Sequence, residues 1–308
     1  MYSYTPVDPN EYYTSATLSF KDSSGLVQTL ALSGHHGWRQ KDLVLATNFI
    51  EGWYSAPPIK VSAAPRKLGL GSHPVPDSNI KFAERVVTAH IIAFGDTRAE
   101  VVDQVNELNL FLGKDVRFSV LDGMSETFVQ GYATVKWDSE RYQDGMTGTL
   151  TIVTNGNPLR LGTARQQASL PVQPPDVGGL RYDSNQNIIW DLNWGEQGKA
   201  VRVRNLVNNG SYYAYPKIYV IGQFDEGLSI INNTTGQRLE YDGYMNGTYI
   251  FDSMTRTVTN RLQNSYEDMT FALKSRYFPV IPPRGSIQLA AEGFGVGTID
   301  VVYHDSFL

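Results

Sequence analysis

The side chains best able to do chemistry are the five histidines: His35, His36, His73, His90 and His304. A zinc site needs three or four ligands at constrained spacing, and adjacent histidines point apart in a strand. His35-His36 and the scattered others therefore read as turn and surface residues, and no metal site is expected. Asp and Glu are dispersed, with no pair that spacing alone marks as an acid/base couple, and glycosidase carboxylates come from distant positions in any case. No Gly-x-Ser-x-Gly, His-Glu-x-x-His or phosphate-binding loop occurs. The absence of cysteine removes disulfide scaffolds, thiolate metal sites and cysteine nucleophiles together. The reading is of a protein that is not an enzyme, with no catalytic residue and no cofactor. Trp190 and Trp194 are the one binding constellation: four apart, they share a face in a strand, where indoles could stack on a sugar or fill a core. Asn209, Asn233 and Asn246 match glycosylation acceptors but read better as turn residues that tolerate unusual backbone angles.

Whatever such residues do must be positioned by folded elements, and the composition supports them. The chain has 308 residues, 41% hydrophobic and 19% charged, enough for about two domains that each bury a core. Its 28 glycines, 15 prolines and 18 tyrosines favour strands joined by tight turns. The net charge of −5 is mixed along the sequence, without the basic face that grips DNA. No apolar stretch approaches the roughly 20 residues needed to span a bilayer. Met1 to Pro6 lacks the basic start and apolar core of a secretory signal, so synthesis in a cytoplasm without export by that route is expected.

Residues 1–14 form a tyrosine-rich arm. Ala16–Phe20 and Leu26–Leu32 read as strands around the hairpin link Asp22-Ser23-Ser24-Gly25. The stretch 56–77 is long, aperiodic and rich in Pro, Gly and basic residues, which marks a functional or interface loop. Val86–Phe94 is a strand leading to a helix that opens on the capping box Thr97-Arg98-Ala99-Glu100. Val101, Val105, Leu108 and Leu112 supply its buried stripe, and Gly113 its stop. Strands 116–120, 127–137 and 146–154 follow, with a turn at Asp122-Gly123, and Asn157-Pro158 ends the run.

The segment 162–179 has a linker's composition, partly stiffened by proline. Beyond it strands are expected near Ile188, Val201, Ile218, Leu228, Leu239, Tyr249, Val258, Phe271, Phe278, Ile287 and Ile299, without a helix, which indicates a β-sandwich. The fold class is mainly β: an N-terminal α+β domain over 1–161, a linker over 162–179 and a C-terminal sandwich over 180–308.

Between residues 208 and 252 the chain reads Asn208-Asn209-Gly210-Ser211, Tyr215-Pro216, Asn233-Thr234-Thr235-Gly236 and Tyr249-Ile250-Phe251-Asp252. With Gly52-Trp53 before Pro57-Pro58, Glu84-Arg85 before the strand and helix, and the ending Tyr303-His304-Asp305, this order resembles the distal tail (Dit) proteins of long-tailed bacteriophages. Asn157, Glu84 and His304 depart from the family pattern at single positions. The resemblance implies a β-sandwich with one helix followed by a galectin-like sandwich. It implies six copies in a ring that joins the tail tube protein to the tail tip, with a channel through which DNA passes as cargo. The implied partners are further copies of the chain, the tube, tip hub and receptor-binding or other minor tail proteins, and the tape measure protein, with no membrane. The implied location is the distal end of the virion tail. Arg66, Lys67 and Arg85 are expected at subunit contacts. The alternative reading is a carbohydrate-binding protein acting through Trp190 and Trp194.

Overall fold

Alternation of apolar and polar residues dictates most of the architecture. A computed structural model describes residues 15–32, 43–60, 81–123, 125–138, 145–170, 172–173, 203–262 and 265–308. The N-terminal arm, His35, His36, His73, Arg66, Lys67, Trp190 and Trp194, and the strands expected near Ile188 and Val201, lie outside the described residues. The chain divides into two compact units, one over residues 1–163 with 308 and one over 164–307.

The first unit contains β1 (Ser15–Lys21), β2 (Val27–Leu32), β3 (Leu43–Glu51), β4 (Val86–Phe94), α1 (Arg98–Asn109), β5 (Asp115–Asp122), β6 (Ser125–Trp137) and β7 (Gly145–Thr154). Antiparallel pairing gives the order β2-β1-β5-β6-β7-β4-β3. Every second residue of β4, and of β7 from Gly148 on, is buried, including Val87, Ala89, Ile91, Leu150 and Ile152. These meet Leu18, Phe118, Val101 and Leu108 in one core. The β1–β2 turn is closed by Asp22, whose Oδ1 accepts from the amides of Ser24 at 2.9 Å and Leu26 at 3.0 Å.

The capping box of α1 forms as its sequence predicts. Thr97 Oγ1 accepts from the Glu100 amide at 3.4 Å while Glu100 Oε2 accepts from the Thr97 amide at 3.3 Å. The buried stripe differs from the expected one. It is Val101, Gln104 and Leu108, with Val105 and Leu112 only partly buried. Gln104 is tolerated inside because its Oε1 accepts from the Phe94 amide and its Nε2 donates to the Phe94 carbonyl, satisfying the end of β4. The helix stops at Asn109, before Gly113. Turn bonds then carry the chain to Gly113, whose φ of +69° turns it so that its amide meets the Ala133 carbonyl.

β8 (Arg160–Leu170) starts antiparallel to β6 and occupies the first half of the stretch read as linker. Most of its residues are exposed or half-buried, so it carries few apolar side chains, and a strand of that kind has a linker's composition.

The second unit contains β9 (Val172–Gln173), β10 (Arg204–Asn208), β11 (Lys217–Asn232), β12 (Gln237–Tyr241), β13 (Met245–Asp252), β14 (Thr257–Arg261), β15 (Tyr266–Asp268), β16 (Leu273–Arg276) and β17 (Gly285–Phe307). The positions near Ile218 and Leu228 belong to one strand of 16 residues, and Ile287 and Ile299 to one of 23. Phe271 sits in a 3-10 turn and Phe278 outside any strand. β11 and β17 pair from Lys217↔Val302 to Asn232↔Leu289, with a register shift between Phe224 and Leu228. Before the shift β11 also pairs with β13, and after it with β12. Glycines allow the two backbones to close at that shift: a Cβ on Gly295 would lie 2.1 Å from the Gln223 carbonyl oxygen.

Candidate functional site

The strongest polar constellation in the first unit surrounds Arg85. Its side chain is 1% exposed. Nη1 donates to the carbonyls of Gly52 and Trp53, each at 2.9 Å, and of Ser55 at 2.5 Å, and Nε donates to Pro158 at 2.8 Å. Its main chain is held by Thr154, whose Oγ1 accepts from the Arg85 amide at 2.8 Å. One planar guanidinium thus fixes two separate stretches of chain, a task the point charge of a lysine cannot do. Burial, with Arg160 nearby, pulls its pKa down to about 10, so it remains charged at neutral pH. The Arg85 side chain is thus enclosed by its own chain.

What Arg85 secures is the stretch Gly52 to Ser55 that follows β3. Gly52 has φ +76°, and a Cβ there would lie 2.2 Å from the Val86 carbonyl oxygen. Trp53 is buried edge-on against Phe118, centroids 5.7 Å apart, with the Arg160 guanidinium 5.8 Å from its ring and 4.8 Å from that of Tyr54. Tyr54 donates its hydroxyl to Asp122; burial and that contact push it up to about 12. Residues 58–60 and 81–83 then pair as a short ribbon. Lys60 donates its amide to Lys81 at 2.6 Å, Ala83 donates to Pro58 at 2.7 Å, and Lys60 Nζ meets Glu84 at 3.1 Å. The described residues on either side of 61–80 are thus fixed to one another.

Beside this base the outward face of β4, β7 and β6 is uncharged over two rows. Val86, Val153 and Tyr132 stand in register, then Thr88, Thr151 and Thr134. The third row brings His90, Thr149 and Lys136, with His90 3.9 Å from Glu51. Such a face suits packing against another surface better than catalysis.

In the second unit the motifs quoted from the sequence prove to be locks. Asn208 is fully buried; its Nδ2 donates to the carbonyls of Tyr212, Ile281 and Pro282, and its Oδ1 accepts from the amides of Gly210 and Ser306. Asn209 binds both oxygens of Asp305, and the Tyr303 hydroxyl bridges the amide and carbonyl of Val207. The 208–211 motif and the Tyr303-His304-Asp305 ending are therefore one cluster, a connection sequence reading missed because 94 residues separate Asn209 from Tyr303. Asp252 caps its turn through the Met254 amide and pairs with Lys217 at 2.9 Å. A shallow groove of about 300 Å³ is lined by Glu226, Arg238, Glu240, Asp242, Lys274 and Glu292 among others. Arg238 pairs with Glu292 and Lys274 with Asp242, so its charges are largely self-satisfied. Among the described residues, no group of three or more His, Cys, Asp or Glu could hold a metal, and no helix is long and apolar enough to cross a membrane.

No family model and no curated protein matches the chain. Among solved structures it is similar to the SPP1 Dit protein, described as a paradigm of the hub adsorption apparatus of phages infecting Gram-positive hosts. The TM-score is 0.52 at 14% identity, over 86% of this chain and 94% of that one. This chain has the Dit fold. Two structures of the phage P2 baseplate in its activated conformation, with calcium and with strontium, align at TM-score 0.44, 9% and 10% identity, over 94% of this chain and 97% of theirs; at that score they carry no argument. At 14% identity the Dit likeness concerns architecture, which the buried locks above maintain with few residues in common.

Proposed function

We propose that the chain is a distal tail hub subunit of a long-tailed bacteriophage. It acts by assembly: the first unit closes a ring of six copies between tail tube and tail tip, and the second, as a galectin-like sandwich, offers a platform for tip and receptor-binding proteins. DNA passes through the ring as cargo. The observation that carries this reading is the Dit fold over 86% of the chain, both units included. Two features support it. The Arg85 clamp fixes the chain before residues 61–80, the segment that carries Arg66 and Lys67, and the adjoining face of β4, β7 and β6 offers the uncharged residues Val86, Val153, Tyr132, Thr88, Thr151 and Thr134 for packing. A mildly acidic chain also suits a conduit, because a basic lumen would hold the genome by counterion release.

Native mass spectrometry with negative-stain imaging of the purified chain tests this. A sixfold ring with a central hole is expected, weakened by combined Arg66→Glu and Lys67→Glu substitution. A chain that stays monomeric at all accessible concentrations, or that localises in virions away from the tube–tip junction, overturns it.

A further inference from the structure

The sequence contains three Asn-Gly pairs: Asn155-Gly156, Asn209-Gly210 and Asn246-Gly247. This dipeptide can cyclise, because the glycine nitrogen lies within five-membered-ring reach of the asparagine side-chain carbon and no Cβ obstructs it. The fold treats the three pairs differently. Gly210 is buried, its amide donates to Asn208 Oδ1 at 2.9 Å, and Asn209 is held by Asp305. Asn246 and Gly247 lie inside β13, in register with Gln223 and Gly222. Asn155 and Gly156 occupy an exposed turn after β7; a Cβ on Gly156 would meet nothing within 4 Å, and the Gly156 amide donates no hydrogen bond among the described residues.

We propose that Asn155 is a self-modification site, converted to aspartate and isoaspartate by its neighbour Gly156. The deprotonated Gly156 nitrogen attacks Asn155 Cγ; the new C–N bond forms as Cγ–Nδ2 breaks, and Nδ2 leaves as ammonia with the proton. Water then opens the imide. Attack at Cγ restores the main chain with an aspartate, while attack at the Asn155 carbonyl carbon routes the main chain through Cβ. Either way one neutral amide becomes a carboxylate.

The position gives this conversion consequences. Asn155 Nδ2 donates to the Tyr132 hydroxyl at 3.1 Å, so the new charge appears beside the Val86–Val153–Tyr132 row, adding a second carboxylate to the Asp115 that stands in register with Tyr132. The isoaspartate form also lengthens the backbone three residues before Pro158, whose carbonyl Arg85 binds. The site thus acts as a slow, one-way charge switch on the outward face of the first unit.

Incubation of the purified full-length chain at mildly alkaline pH, followed by peptide mapping with isoaspartate detection, tests the proposal; the three pairs fall in separate tryptic peptides. The Asn155 peptide is expected to gain about one mass unit at least tenfold faster than the other two, the ratio a local opening difference of about 1.4 kcal/mol produces. In denaturant all three convert at similar rates, and Asn155→Gln abolishes the early acidic species on native ion exchange. Conversion of Asn209 or Asn246 as fast as Asn155 in the folded chain overturns the proposal. So does an inert Asn155 in the folded chain when the denatured control converts.

Discussion

Replacing Arg85 by methionine tests whether the loop base depends on one buried cation. The substitution keeps side-chain bulk but removes the donors to Gly52, Trp53, Ser55 and Pro158. Leaving a buried acceptor unpaired costs about 1–3 kcal/mol each. The four do not add, since the carbonyls can relax and the desolvation of a buried charge disappears with it. Breaking a buried polar network by removing one partner costs about 3–5 kcal/mol in all. For a unit of this size that lowers the melting temperature by about 6–20 °C. Scanning calorimetry of the whole chain can resolve the transitions of the two units, so that a drop confined to one of them is visible. Arg85→Lys should recover less than half of the loss, since an ammonium cannot serve carbonyls on two chain segments at once. A loss below about 1 kcal/mol for Arg85→Met, or full recovery by lysine, would refute the reasoning.

Other outcomes follow from single contacts. Gly52→Ala should prevent soluble folding, because its Cβ would fall 2.2 Å from the Val86 oxygen, whereas Gly156→Ala, in open space at φ +78°, should cost only about 1 kcal/mol in urea titration. Asn208→Ala should destabilise the second unit by about 2–4 kcal/mol by calorimetry, and Asn209→Ala, on the exposed side of the same cluster, by less than about 1 kcal/mol. Thr97→Ala should cost about 1 kcal/mol in thermal melts monitored by circular dichroism through loss of the helix cap.

Local chemistry was the legible part of this sequence. The Asp22 turn, the Thr97 capping box, the Asp122-Gly123 turn and the 233–236 hairpin all act over three or four residues, and each forms where its residue types predict. What stayed hidden depends on partners far along the chain. Gln104 lies outside the apolar stripe read from the sequence, yet the end of β4 uses its amide. The enclosure of Arg85 depends on carbonyls 30 to 73 residues away. β11 and β17 looked like two strands each because their apolar runs are interrupted by polar and glycine-rich stretches, Gln223 to Gly227 and Gly293 to Gly297. There the register shifts while the pair continues. The order of motifs is informative about the architecture because Asn208, Asp252 and Asp305 each hold a turn or a cluster of the second unit.

The β11–β17 pair also has a kinetic consequence. Lys217 aligns with Val302, 85 residues later, so one edge of β11 stays unpaired while the ribosome is still making β17. At about 5–20 residues per second, the early half of this unit waits about 4–17 s with its strand edges open. Contacts so distant in sequence also close slowly once available. The long ladders of the first unit, from Ser15↔Leu121 to Gly131↔Thr154, use no strand of the second, so the first unit can fold while the second is still being made.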